Sequence, residues 1–151
     1  MTSAKTTTCP ISDVIVTPLK VIEGDQGSVM HGMRSDDENF IGFGEVYFST
    51  VNTGEIKPWR RHTNVTLNLV VPHGEIRFVL CDDRDEGDPL FWEIKLSLEN
   101  YYRLTIPPGI LLAFQGISDD TNMLLDLIDS PHDPAEADKL ALDAIPYDWG
   151  S

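Results

Sequence analysis

An alternation of apolar and polar residues within positions 62 to 71 constrains the fold more than any other feature of this sequence. The apolar positions of this segment are Val65, Leu67, Leu69 and Val71. A period of two is that of a β-strand with one buried face. Pro72-His73-Gly74 predicts a hairpin turn, because glycine tolerates positive φ and proline cannot donate to a central ladder. A second strand is therefore expected over 75–81.

Short segments of the same kind continue along most of the 151 residues. The sequence predicts further strands over 14–22, 28–33, 43–49, 91–98, 102–106, 110–117 and 123–128. One segment, 134–142, predicts a helix, with Asp133 as its N-cap and Pro134 at its first position. About nine short strands favour an all-β jelly roll or a related barrel with a short C-terminal helix. We expect a single domain over residues 10–151 and a flexible leader over residues 1–9.

The charge of the chain narrows the possible partners. A net charge of −14 argues against nucleic acid and against anionic membranes, since phosphate contacts need a basic surface. No apolar run reaches the roughly 20 residues of a membrane span, and the N-terminus does not resemble a secretory signal. A cytoplasmic protein is expected. Cys9 and Cys81 make no disulfide framework, and they are expected to be a loose thiol and a buried small apolar residue.

A cluster of basic residues stands beside the alternating segment. Lys57, Arg60 and Arg61 fall within five positions and adjoin His62. In an acidic chain this cluster predicts an anion site, and the alternative is a solvated cationic turn. A neutral imidazole accepts a proton, so His62 is a candidate general base, although it can equally be a histidine that only hydrogen-bonds a neighbour.

The polar face of the segment predicts a pocket. If the alternation is unbroken, one face carries Arg60, His62, Asn64, Thr66 and Asn68. We expect this face to line a wet cavity, and the alternative is a solvated surface. Barrels of this type often hold a metal with a His-x-His pair, a glutamate and a later histidine. Arg60 occupies the first of these positions and cannot ligate a metal, so no metal site is expected.

Several motifs in order resemble the dTDP-4-dehydrorhamnose 3,5-epimerase family, over roughly residues 14–149. They are Gly24-Asp25-Gln26-Gly27, Phe48-Ser49 with Gly54 and Lys57-Pro58-Trp59, then His62, Gly74-Glu75, Asp82-Asp83-Arg84, Pro107-Pro108-Gly109 and Ile145-Pro146-Tyr147-Asp148-Trp149. The resemblance implies a cupin jelly roll, a homodimer and a substrate that is a nucleotide-diphosphate-linked 4-keto-6-deoxy sugar. It implies epimerisation by proton removal next to a ketone and reprotonation from the opposite face, without a cofactor.

The resemblance also implies roles for individual residues. When the family's motifs are aligned with this sequence without a gap, the family's base histidine falls on Arg60 and its enolate-binding lysine falls near Thr66. The family's acid tyrosine falls near Leu125, and a pocket histidine falls on Leu112. The usual catalytic set is therefore not present. His62 is then the expected base, Asp148 its carboxylate partner, and Tyr147, Tyr101, Tyr102 or water the acid. Arg60 with Asn64 and Asn68 would surround the sugar ketone, Lys57 and Arg61 would bind the diphosphate, and Thr66 and Arg34 would add substrate contacts. The alternatives are a non-catalytic nucleotide-sugar-binding protein and a 3,4-ketoisomerase.

Overall fold

Antiparallel β-strands form almost all of the regular structure in residues 8–150, which are the residues that the computed structural model describes. The strands are β1 (Ile15–Pro18), β2 (Val21–Ile22), β3 (Val29–Met30), β4 (Glu45–Val51), β5 (Ile56–His62), β6 (Leu67–His73), β7 (Ile76–Asp82), β8 (Leu90–Leu96), β9 (Tyr102–Ile106), β10 (Leu111–Gly116), β11 (Asn122–Ile128) and β12 (Ala137–Lys139). A single 3-10 turn, Leu142–Ala144, is the one helical element of the described range. No helix in this range is long and apolar enough to cross a membrane.

Two five-stranded sheets face each other. The first sheet has the order β1-β9-β6-β11-β4, and the second has the order β12-β5-β10-β7-β8, while β2 and β3 form a separate hairpin. Consecutive strands alternate between the sheets in several places, which is the connectivity of a jelly roll. The predicted all-β jelly-roll barrel is confirmed.

The main core lies between the sheets and contains the predicted apolar positions. Leu67, Leu69 and Val71 of β6 pack there with Phe78 and Leu80 of β7. All five side chains are at least 95% buried, so the alternation correctly identified the face that lies inside. Phe78 also packs against Phe114 of β10, with ring centroids 5.6 Å apart.

The predicted continuous strand over 62–71 is interrupted at a corner. β5 ends at His62 in the second sheet, and β6 begins at Leu67 in the first. Between them, acidic side chains accept the backbone hydrogen bonds that a neighbouring strand would otherwise accept. The backbone N–H of Val65 donates to Glu136 Oε1 (3.1 Å), and that of Thr66 donates to Asp129 Oδ1 (3.0 Å). The corner moves the chain from one sheet to the other, so positions 60 to 68 do not share one face.

The predicted helix over 134–142 is wrong. Its middle residues form β12, which pairs with the edge strand β5 and aligns Ala137 with His62 and Lys139 with Arg60. The local helix pattern is overridden because pairing with an open sheet edge satisfies backbone groups along two strands at once.

Residues after β12 cross the outer face of the second sheet. Five buried residues on that face, Trp59, Val79, Cys81, Leu111 and Ala113, are covered by apolar residues of the C-terminal segment, namely Leu140, Leu142, Ile145, Tyr147 and Trp149. Cys81 is buried as predicted. Of the predicted leader, residues 1–7 lie outside the described residues, whereas Cys9 is half-buried and packs against the main core.

Candidate active site

A cavity of about 290 Å³ opens between the two sheets. Its apolar part is formed by inward-facing residues of both sheets, namely Leu67, Leu69, Leu112, Phe114 and Leu124. Its polar part is formed by Tyr47, Ser49, Lys57, Arg60, His62, Asp126 and Lys139. The cavity therefore combines an apolar floor with a small number of charged and hydrogen-bonding groups, as small-molecule sites do.

A β-bulge in β5 places two cations in this cavity. Leu112 of β10 pairs with Arg60 of β5. Phe114, two residues after Leu112, pairs with Lys57, which is three residues before Arg60. The extra residue in β5 shifts the alternation, so that Lys57 and Arg60 face the same side although three positions separate them. The ammonium group of Lys57 donates to Ser49 Oγ (2.7 Å) and lies 5.8 Å from the centre of the Phe114 ring. Burial, together with the charge of Arg60, lowers the pKa of Lys57.

His62, at the end of β5, is held by a buried glutamate. Its Nδ1 lies 2.9 Å from Glu136 Oε2, and both side chains are only 10% exposed. Although burial disfavours the charged carboxylate, hydrogen bonds from His62 and from the backbone N–H groups of Asn64 and Val65 hold the pKa of Glu136 below its ordinary value. An anionic Glu136 makes Nδ1 the protonated nitrogen, and Nε2 is left as the proton acceptor.

The opposite wall carries a second buried acid. Asp126 of β11 aligns with Tyr47 of β4, and the Tyr47 hydroxyl donates to Asp126 Oδ2 (2.8 Å). Burial is the largest influence on this carboxyl group and raises the pKa of Asp126 to about 6, against the opposing effects of the Tyr47 hydrogen bond and the Arg60 charge. Burial also raises the pKa of the Tyr47 phenol. His62 and Asp126 therefore line one cavity from different sheets.

The structure brings three of the predicted site residues together and separates the others. Lys57, Arg60 and His62 line the cavity. Arg61 does not, because it is on the outer face of β5, where its guanidinium binds the carboxylate of Asp83 at 2.6 and 3.3 Å. The predicted pairing of Arg61 with Lys57 in one anion site is therefore incorrect.

Three predicted polar residues after His62 lie away from the cavity lining, because the corner breaks the alternation. Asn64 is exposed on the corner, and Thr66 is buried where its backbone bonds Asp129. Asn68 points away from Leu67 and Leu69 and accepts a hydrogen bond from the Thr105 hydroxyl (2.7 Å). The predicted polar face is thus divided between the cavity, solvent and the far side of the first sheet.

The remaining predicted residues are also elsewhere. Asp148 is exposed and accepts from the backbone N–H of Gly150 (2.9 Å), so Glu136 takes the position by His62 that was predicted for Asp148. Tyr147 donates to Glu93 and packs 5.3 Å from Phe91 on the outer face of the second sheet. Arg34 lies in an exposed loop and pairs with Asp36 (2.8 Å). Among residues 8–150, no group of three or more His, Cys, Asp or Glu side chains is arranged to hold a metal ion.

The fold matches solved structures over almost the whole chain. A dTDP sugar isomerase from Desulfovibrio desulfuricans G20 shares 32% sequence identity with this chain at a TM-score of 0.90, and the match covers 95% of each chain. The chain belongs to the family of this dTDP sugar isomerase. This membership confirms the sequence-based expectation of an isomerase.

More distant solved structures show the same fold. A dTDP-4-dehydrorhamnose 3,5-epimerase from Sulfolobus tokodaii is 19% identical at a TM-score of 0.78, with 93% of this chain and 84% of that chain covered. A 3'-monoepimerase from Streptomyces bikiniensis in complex with dTDP-quinovose is 16% identical at a TM-score of 0.77, with 87% and 71% covered. No family model matches the chain, and no curated protein does either.

Sequence reasoning missed four polar groups that line or support the site of this family member, namely Tyr47, Asp126, Glu136 and Lys139. One of them left a signal, because Asp126 interrupts the apolar run of residues 123–128, where a charge is costly unless it has a purpose. Glu136 left none, since it lay within the segment that predicted a helix.

Proposed function

We propose that this protein is an epimerase for a nucleotide-diphosphate-linked 4-keto-6-deoxy hexose, and that His62 removes the proton next to the ketone. The observation that carries the proposal is the buried His62–Glu136 pair, 2.9 Å apart, beside a cavity that Lys57 and Arg60 also line. The pair orients the imidazole and compensates the positive charge that it gains on accepting a proton. The 32% identical dTDP sugar isomerase and the relative bound to dTDP-quinovose support a sugar linked to dTDP.

The two cations would stabilise the enolate. When a carbon next to a ketone loses its proton, negative charge develops on the ketone oxygen, and preorganised donors in a water-poor site lower the energy of that state. Arg60 stays protonated and presents several N–H groups, which suits it to this role. Lys57, which Ser49 holds at 2.7 Å, is the second donor. Positive charge is thereby supplied by side chains, and the proposed reaction uses no metal.

Binding of the diphosphate needs a cation nearer to solvent. Lys139 of β12 is exposed and also lines the cavity, and it aligns with Arg60 on the neighbouring strand. We assign it the phosphate contact that was predicted for Arg61, since charged donors are the usual partners of phosphate oxygens.

Solvent exchange tests the proposal. The full-length protein would be incubated in D2O with a dTDP-linked 4-keto-6-deoxy hexose, and the protons on both carbons next to the ketone would be followed by NMR. Exchange with inversion is expected, and it should be insensitive to a chelator. A moved carbonyl would identify a 3,4-ketoisomerase instead, and binding without exchange would identify a non-catalytic binding protein.

A variant pair identifies the base. His62→Asn should abolish exchange and leave dTDP affinity within about 2-fold, while His73→Asn, which changes an exposed histidine paired with Asp120, should exchange at the wild-type rate. An exchange rate in His62→Asn equal to that of His73→Asn would refute the assignment of His62.

We also propose that the protein acts as a homodimer, as the family resemblance implies. Large apolar side chains are exposed on the edge strand β4, where Phe48 is 64% exposed and Val46 is 42% exposed. The hairpin of β2 and β3 exposes Val29 (59%) and Ile22 (52%) as well. An uncovered sheet edge with apolar side chains is a surface on which a second copy can pair. Sedimentation should show a dimer that Phe48→Lys weakens, and a monomeric wild type would contradict the proposal.

A further inference from the structure

The cavity wall opposite His62 contains an acid that the proposed function does not yet use. Asp126 is 6% exposed and is set in an apolar strand between β6 and β4. Among residues 8–150, no cation is within salt-bridge distance of it, in contrast to the paired carboxylates of Glu93 and Asp82. Burying a carboxyl group in this way costs free energy, and such costs are concentrated at functional sites.

The carboxyl group is fixed at one oxygen and free at the other. Tyr47, directly across from Asp126 in the ladder, donates its hydroxyl to Oδ2 at 2.8 Å. Oδ1 is buried and has no hydrogen-bond partner among the described residues. Asp126 as a residue lines the cavity, so its carboxyl group lies on the wall formed by the first sheet, across from His62 on the second.

We propose that protonated Asp126 is the general acid, which delivers a proton to the substrate carbon on the face opposite His62, and that Tyr47 is a positioning residue for it. This inference rests on the proposed function. His62 Nε2 takes the proton from the carbon, and the C–H electron pair forms the enolate. The enolate carbon then takes the proton from Asp126 as its electrons restore the ketone. The cycle leaves His62 protonated and Asp126 ionised, and exchange with solvent resets both.

The surroundings of Asp126 favour this role over one for Tyr47. Burial raises the pKa of Asp126 to about 6, with a further contribution from Glu45 on β4, while Tyr47 and Arg60 oppose the rise. The neighbouring strand β6 presents only Leu67 and Leu69 to the cavity, and Lys57 and Lys139 complete its charged lining. Burial and the nearby carboxylate raise the pKa of the Tyr47 phenol. An acid whose pKa is close to the working pH transfers its proton more effectively than one far above it.

Removing the acid should separate exchange from inversion. In D2O with the same dTDP-linked ketosugar, Asp126→Asn should still incorporate deuterium next to the ketone, because His62 remains, but with retention of configuration. Inversion should fall by about 100-fold or more, the usual loss for a missing general acid. Tyr47→Phe should lower inversion by a smaller factor, since the carboxyl group is kept but less well oriented.

The pH profile and a conservative variant complete the test. Inversion by the wild type should decline as the pH rises above about 6, because the proton of Asp126 is lost, and this decline should be absent in Asp126→Asn and present in Asp126→Glu. Unchanged dTDP affinity shows that the variants are folded. Wild-type inversion rates in Asp126→Asn would overturn this inference alone. A wild type that exchanges no proton would overturn the proposed function and this inference with it.

Discussion

Replacing Asp126 by asparagine should stabilise the fold at neutral pH while it removes inversion. In the folded protein the pKa of Asp126 is raised from its ordinary 3.8 to about 6. The folded state therefore holds this proton more tightly than the unfolded state. The stabilisation that the proton provides is fully present at a pH below 3.8, the pKa in the unfolded chain, and it is lost as the pH rises through about 6, the pKa in the folded protein. A difference of this size corresponds to about 3 kcal/mol when the group is fully ionised. Asparagine keeps the shape and never ionises.

Urea unfolding of wild type and Asp126→Asn at two pH values measures the effect. Between pH 5 and pH 8 the linkage relation predicts that the stability of the variant, relative to wild type, rises by about 1.4 kcal/mol. Costs of the amide that do not depend on pH cancel in this difference. Asp119→Asn, at an exposed site on the loop before β11, removes the same formal charge without relieving a burial cost, and it is the control. Parallel pH dependence of wild type and Asp126→Asn would refute the reasoning.

Four further substitutions test other parts of the structure. Glu136→Gln should slow deuterium exchange by about 10- to 100-fold by weakening the base, and a normal exchange rate would show that the carboxylate only supports the corner. Gly74→Ala should lower the free energy of urea unfolding by more than about 2 kcal/mol, since φ is +80° and a Cβ would meet backbone at 2.3 Å. Gly54→Ala is the control: φ is +78° but the space around it is open, so this substitution should cost only about 1 kcal/mol. Equal costs in the two variants would contradict the steric argument. Trp149→Ala should loosen the C-terminal cover and speed thiol labelling of Cys81, located by mass spectrometry, and an unchanged rate would show that the cover does not depend on this ring.

The strands were predictable because a period of two reports directly on one buried face. The strands predicted over 75–81, 102–106 and 110–117 differ from β7, β9 and β10 by at most one residue at each end. What could not be read was the corner at 63–66. The backbone partner of Val65 there is Glu136, 71 positions away, so nothing local marks the place where the chain leaves one sheet for the other.

The site was predictable only where its residues were neighbours in sequence. Lys57, Arg60 and His62 were expected to act together and do line one cavity. Even so, Lys57 and Arg60 share a face only because of the bulge in β5, which an assumption of strict alternation excludes. Asp126 came from a strand of the other sheet, and no spacing in the sequence relates it to His62.

The position of the histidine's partner follows from the path of the C-terminal chain. Along β5, Trp59 packs on the outer face of the second sheet while Arg60 and His62 face the cavity. The outer face is covered by Leu142, Ile145, Tyr147 and Trp149, so Asp148, which lies between the last two, is on the side of the sheet away from the cavity. A carboxylate that reaches His62 must therefore come from the chain before this crossing. Glu136, one residue before β12, meets that requirement, because the pairing of Ala137 with His62 carries it to the corner. Successive parts of one segment thus hold His62 and cover the apolar outer face, and a substitution that shifts β12 along β5 should disturb both.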